Sequence, residues 1–126
     1  MKRMIVAGVI LVVIALLGWW EQDCIRSACS DMKEKLSVTE ELIEKGDYKA
    51  AEENTRKVKQ FWDNKENILD VLIRHDDTDD ITLDLVVLKR YISLQDKTLA
   101  LSCVDELCGQ FDEIREKTKI HYKNIF

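Results

Sequence analysis

The chain has 126 residues, room for one domain, and no proline, so long uninterrupted helices are allowed. Lys2 and Arg3 are the only charged residues among the first twenty, which leaves the rest of the chain with a net charge of −7. That acidity disfavours nucleic acid, whose phosphates it repels, and disfavours lying flat on anionic lipid.

Met4 to Trp20 forms an uncharged run of seventeen residues. As a helix it is about 25 Å long, near the lower limit for crossing a bilayer. A cleaved signal peptide is the competing reading. It usually ends in small residues at a cleavage site, whereas this run ends in "LLGWWEQ". No lipid-attachment pattern precedes Cys24, where "EQD" stands. Trp19 and Trp20 suit the membrane interface, and no face of the segment is polar, so a buried core helix is disfavoured. Residues 1–20 are therefore expected to be a retained anchor, and 21–126 an acidic helical domain. Lys2 and Arg3 before the span, with Glu21 and Asp23 after it, place the N-terminus in the cytoplasm and the body outside.

In the body, Ile25, Cys29, Met32, Leu36, Thr39 and Ile43 recur in steps of four and three, one face of a helix. Nothing between Trp19 and Lys45 breaks a helix, so the anchor is free to run straight into this one. Gly46-Asp47 reads as a stop followed by a new cap. A second helix over 48–74 places Ala51, Val58, Phe61, Trp62, Ile68, Leu69, Leu72 and Ile73 on one side, with His75 at its end meeting the last carbonyls.

"HDDTDDI" (75–81) follows, its carboxylates suited to the start of the next helix. An EF-hand counted from Asp76 would need glycine sixth and glutamate twelfth; Ile81 and Val87 stand there. "ITLDLVV" alternates like a strand but has no second strand to pair with. As a helix, Ile81, Leu85, Leu88 and Ile92 form a stripe that Val86, Val87, Tyr91 and Leu94 widen, which predicts burial on more than one side. A turn at "LQDK" with Asp96 as cap leads to a last helix carrying Ala100, Cys103, Leu107, Phe111, Ile114, Thr118 and Ile125.

One internal echo is visible. "GDYKAAEENTRKVKQFW" (46–62) aligns with "QDKTLALSCVDELCGQF" (95–111), matching Asp47 to Asp96, Ala51 to Ala100, Val58 to Leu107 and Trp62 to Phe111. The period of 49 does not suit tetratricopeptide units, and two capped amphipathic helices explain the echo as well.

The cysteines fall as Cys24/Cys29 and Cys103/Cys108. Neither C-x4-C pair has the spacing of a zinc ribbon or a redox motif. Five residues along a helix is too far for a disulfide within a pair, while cross-pairing between the first and last body helices is geometrically conceivable. Cys29 and Cys103 lie on apolar stripes, where a reduced thiol packs as a small hydrophobe. Reduced thiols and disulfides both stay open, with the former favoured. His75 and His121 have no apparent nucleophilic partner, and no serine or glycine-rich elbow exists. "FWDN" (61–64) is better explained as core than as an aromatic binding spot.

Taken together, the anchor, "GDYKAAEENTRKVKQFWDN", "ILDVLIRHDDTDDI", "LVVLKRYISLQDKTLAL" and the terminal "HYKNIF" resemble an uncharacterised family of small clostridial-type single-span membrane proteins, domain of unknown function 4363. The resemblance covers nearly the whole chain. It singles out Trp62, His75, Asp79 to Ile81, Tyr91, Asp96 and Asn124-Ile125-Phe126, but not the cysteine pairs. It implies no established activity. It also implies a setting in spore-forming Gram-positive bacteria beside a second small membrane-protein family, domain of unknown function 421.

The expected fold is all-α: an N-terminal transmembrane helix followed by a body of three or four helices arranged as two helical hairpins. Trp62, Leu69, Leu72, Leu85, Leu88, Ile92, Leu107 and Phe111 are expected inside. The expected function is a non-enzymatic interaction module, an accessory subunit of an integral membrane partner, with no cofactor. The alternative is an extracytoplasmic sensor or small-ligand domain centred on His75 and the acidic loop. A thiol redox role is a third.

Overall fold

A computed structural model describes the backbone of residues 1–125 and the side chains of residues 1–119. The described residues form four helices: α1 (Lys2–Glu44), α2 (Tyr48–Leu72), α3 (His75–Ser93) and α4 (Lys97–Ile125). No strand occurs among them. Each helix packs against its neighbours in chain order, and α4 closes the ring against α1. Connections of two or three residues make successive helices antiparallel, which gives an up-down-up-down four-helix bundle.

The residues dictate this packing. The buried positions of α1 are Ile25, Ala28, Cys29, Met32, Leu36, Thr39 and Ile43, and those of α3 are Thr78, Ile81, Leu85, Leu88 and Ile92. Steps of three and four recur in both, the heptad spacing that lets ridges of one helix enter grooves of the next at a shallow angle. Trp62 of α2 meets Phe111 of α4 edge to face, ring centroids 5.7 Å apart, and both are 1% exposed. That geometry suits the opposite charges of ring edge and ring face.

The first and third turns share one construction. At the end of α1, the Asp47 N–H donates to the Leu42 carbonyl and the Gly46 N–H to the Ile43 carbonyl, each at 3.0 Å. At the end of α3, Asp96 N–H donates to Tyr91 and Gln95 N–H to Ile92, again at 3.0 Å. Both are Schellman endings, which satisfy the last orphan carbonyls. Each is followed by an aspartate cap: Asp47 Oδ1 accepts from Ala50 N–H and Asp96 Oδ1 from Leu99 N–H, both at 3.1 Å. The left-handed position is Gly46 (φ 79°) in the first turn and Gln95 (φ 57°) in the third.

The internal echo therefore extends beyond the stretch in which the sequence displays it. An offset of 49 also superposes buried Met32, Leu36, Thr39 and Ile43 of α1 on buried Ile81, Leu85, Leu88 and Ile92 of α3. The two hairpins are related by an approximate two-fold along the bundle axis. The symmetry fails at one place: where α3 begins, α1 continues for some twenty-four more residues as the apolar segment.

That segment is unbroken with the body part of α1, and the whole helix is about 65 Å long. Its apolar side chains are exposed: Leu11 is 68%, Trp19 61% and Trp20 52% accessible. It is long and apolar enough to cross a membrane.

Several expectations need correction. α2 ends at Leu72, and His75 opens α3 instead of closing α2. Ile68, Val86 and Leu94 are exposed, and Leu72, Val87 and Tyr91 are only half-buried. The wide apolar stripe of α3 is thus buried along one seam only. In a four-membered ring each helix has two neighbours and keeps an outer face, which periodicity alone does not reveal. Thr55 and Val104 join the core unanticipated. The side chains of His121, Asn124 and Ile125 lie outside the described residues.

Gln95 in the left-handed region is strained where Gly46 is not. Gln95→Gly should stabilise the chain by up to about 1 kcal/mol, and Gly46→Ala should destabilise it by about 1 kcal/mol. A Cβ at Gly46 would meet nothing within 4 Å, so that cost is backbone conformation only. Urea unfolding of the detergent-solubilised chain, followed by circular dichroism, measures both.

Candidate functional site at the near end of the bundle

The bundle has two unlike ends. The far end holds the Gly46 and Gln95 turns. The near end is where α1 enters from its apolar segment, and there the α2–α3 turn and the last turns of α4 gather around Glu21. A cavity of ≈ 300 Å³ lies between these three segments, lined by Glu21, Leu72, Ile73, Arg74, Asp77, Ile114, Lys117 and Thr118. Leu72, Ile73 and Ile114 make its apolar wall, and Lys117 Nζ sits 3.8 Å from Asp77 Oδ1 on its rim. Val71, beside it on α2, is 83% exposed.

The residues singled out from sequence divide between the two ends. Trp62, His75 and Asp79 belong to a polar network along the α2–α3 seam. Trp62 Nε1–H donates to Thr82 Oγ1 at 2.8 Å, and the Thr82 hydroxyl reaches the Thr78 carbonyl at 3.0 Å and Glu66 Oε1 at 3.1 Å. One turn nearer the α2–α3 turn, the Thr78 hydroxyl reaches Asp70 Oδ1 and the His75 carbonyl. His75 stands between two carboxylates, Nδ1 3.6 Å from Asp70 Oδ1 and Nε2 3.4 Å from Asp79 Oδ2. Its ring is 70% exposed, which keeps these contacts weak. Among the described residues no three His, Cys, Asp or Glu side chains are grouped as a metal site.

Tyr91 and Asp96 sit at the far end, joined through the Tyr91 carbonyl and the Asp96 N–H. Their work is to end α3 and start α4. Phe61 is half-buried under Lys35, whose Nζ lies 4.8 Å from the ring centroid, while Trp62 is core. "FWDN" thus contributes one packing aromatic and one surface-stacked one. Asn54 ties α2 to α1, its Nδ2 donating to Thr39 Oγ1 at 2.7 Å and to the Lys35 carbonyl at 3.3 Å.

All four cysteines are free. The register of α1 against α4 is set by the Lys33–Asp112 ion pair at 2.7 Å. Cys29 lies four residues from Lys33 toward the near end, and Cys108 four residues from Asp112 toward the far end. They are therefore about 12 Å apart along the axis, beyond the reach of a disulfide. Cys24 and Cys103 are farther from any partner across that seam. Burial pushes the Cys29 thiol up from 9.0 to about 11. Burial, reinforced by Asp84 and Glu106, pushes Cys103 up to about 12. The Cys108 thiol is raised too, chiefly by burial. Thiols held protonated are poor nucleophiles, which weighs against redox exchange.

The sequence matches the family model described as Domain of unknown function (DUF4363) over residues 19–125, and the chain belongs to that family. The matched region starts at Trp19, where the apolar segment ends, and spans both hairpins. No curated protein and no solved structure matches the chain.

The raised thiols make stability pH-dependent. Each contributes fully below the unfolded-state value of 9.0, and that contribution is lost as pH climbs toward about 11 for Cys29 and about 12 for Cys103. The chain should therefore lose stability between pH 9 and 12, and Cys29→Ala/Cys103→Ala should flatten that loss in thermal melts. Iodoacetamide at pH 8 should label Cys29 and Cys103 only after unfolding.

Proposed function

We propose that the chain is a membrane-anchored, non-enzymatic interaction module that serves as an accessory subunit of another integral membrane protein. The observation that carries this reading is the junction. α1 passes from apolar segment to bundle without a hinge, so a segment lying in the bilayer holds the near end of the bundle against the membrane surface. The near end has an apolar cavity walled by Leu72, Ile73 and Ile114, with exposed Val71 beside it. Apolar surface at that level suits another membrane chain better than a soluble one. Lys2 and Arg3 favour a cytoplasmic N-terminus and an extracytoplasmic bundle.

The same junction favours a different chain over a second copy. Gly8, Ala15 and Gly18 continue the heptad register of the buried face of α1 into the apolar segment, on the side above α4. Small residues allow close helix contact in lipid. A parallel second copy packed there would drive its own rigid α1 into the first copy's bundle. A partner whose helix ends at the membrane surface meets no such obstacle. The neighbouring family suggested by the resemblance, domain of unknown function 421, is the first partner to seek.

A mild-detergent pull-down of the tagged chain from its own membranes, with mass-spectrometric identification, tests this. One integral membrane protein should co-purify in near-equal amount, and Ile73→Asp should reduce it at least several-fold while thermal stability falls little, because Ile73 is only half-buried. A chain repeatedly recovered without a partner would overturn the accessory reading in favour of a sensor or small-ligand domain centred on His75.

A further inference from the structure

A second cavity of ≈ 180 Å³ opens at the near end, between the start of the body part of α1 and the last described turns of α4. Among the described residues, Arg26, Arg115 and Lys119 line it with Gln22, Ile25, Thr118 and one carboxylate, Glu116. Three cations against one carboxylate is a local reversal on a body whose net charge is −7. Arg26 is held by Asp23 of its own helix at 3.1 Å, with both side chains about half exposed. Among the described residues Arg115 and Lys119 form no ion pair, whereas Lys117 between them pairs with Asp77. Both are exposed, so water solvates them, and among the described residues no carboxylate contacts either one, which leaves their N–H groups available as donors to an anion in the cavity.

The position of the cavity along α1 says what that anion is. Gln22 and Arg26 are two and six residues past Trp20, about 3 and 9 Å along the helix axis. Trp19 and Trp20 mark the interface, and the polar layer beyond the hydrocarbon is about 5–8 Å deep on each side. With α1 across the bilayer, as proposed above, the cavity opens at the depth of the lipid phosphates. Long cationic side chains at that depth keep their stems on the helix and extend their heads to the polar layer.

We propose that this cavity binds the phosphate of a membrane phospholipid, with the guanidinium groups of Arg26 and Arg115 and the ammonium of Lys119 donating to its oxygens. Such charge-assisted bonds fit the fork of an arginine to two phosphate oxygens. The site would seat one lipid beside α1 and fix the height of the bundle. A soluble phosphate monoester or inorganic phosphate presents the same chemistry, and the test separates the two sources.

The full chain in a non-ionic detergent is titrated with phosphatidylglycerol and read by native mass spectrometry, with and without millimolar inorganic phosphate. The wild-type chain should retain one phospholipid. Arg115→Gln/Lys119→Gln should weaken retention by roughly tenfold or more, the loss of about one charge-assisted bond. Lys45→Gln/Lys49→Gln at the far end should leave it unchanged. Displacement of the lipid by inorganic phosphate would overturn the lipid assignment in favour of a soluble anion. Equal retention by wild type and by the Arg115/Lys119 variant would overturn the site. Carbonate extraction of the same membranes reads the anchor separately: an integral chain with unchanged retention refutes the cavity alone, and an extracted chain refutes the placement of the cavity in the bilayer.

Discussion

The structure depends on the continuity of α1. Ile25, Cys29, Met32, Leu36, Thr39 and Ile43 form the seam on which α2 and α4 pack, and the same helix carries the apolar segment. The absence of proline and the lack of any glycine between Gly18 and Gly46 leave no weak point at the junction. One helix thus carries a buried seam at one end and an exposed apolar surface, long enough to cross a membrane, at the other. The orientation of the bundle relative to the apolar segment is therefore set by covalent geometry, and the near end is the face that geometry presents.

The bundle itself is one hairpin used twice. Asp47 and Asp96 cap their helices in the same way, Ala51 and Ala100 are both fully buried, and Trp62 and Phe111 meet across the two-fold. The departures from symmetry are informative. Gln95 occupies a left-handed position that Gly46 fills without strain, and the second hairpin has no counterpart of the apolar segment. In its place stands the α2–α3 turn, which brings Leu72, Ile73 and Arg74 to the level of Glu21. That turn supplies Leu72, Ile73 and Arg74 to the larger near-end cavity.

Much of the fold is legible in the residues. The uncharged run, the stop at Gly46, the two aspartate caps and the four-three spacing of the body all correspond to observed elements. What periodicity withholds is the number of neighbours around each helix, so Ile68, Val86 and Leu94 read as core and lie outside it. His75 illustrates a second limit: a histidine three residues past one helix and at the start of the next has the same local sequence either way. The internal echo looks weak because Thr39 matches Leu88 and Thr55 matches Val104, pairs alike in burial but not in chemistry. The candidate site was the least legible part. Glu21, Ile73, Ile114 and Thr118 have no shared motif; the antiparallel register of α1 and α4, pinned by Lys33 and Asp112, and the α2–α3 turn together bring their segments to one cavity.

The central claim is that the near end of the bundle is held against another membrane chain. A photoreactive amino acid placed at Ile73 and, in a separate variant, at Leu94 tests it in intact membranes. Ile73 is half-buried and Leu94 is exposed, so accessibility alone would favour adducts from the far end, and a near-end adduct reports position. Irradiation should yield an adduct with another integral membrane protein from position 73 and none from position 94. Adducts of equal yield from both positions, or from position 94 only, would contradict the account.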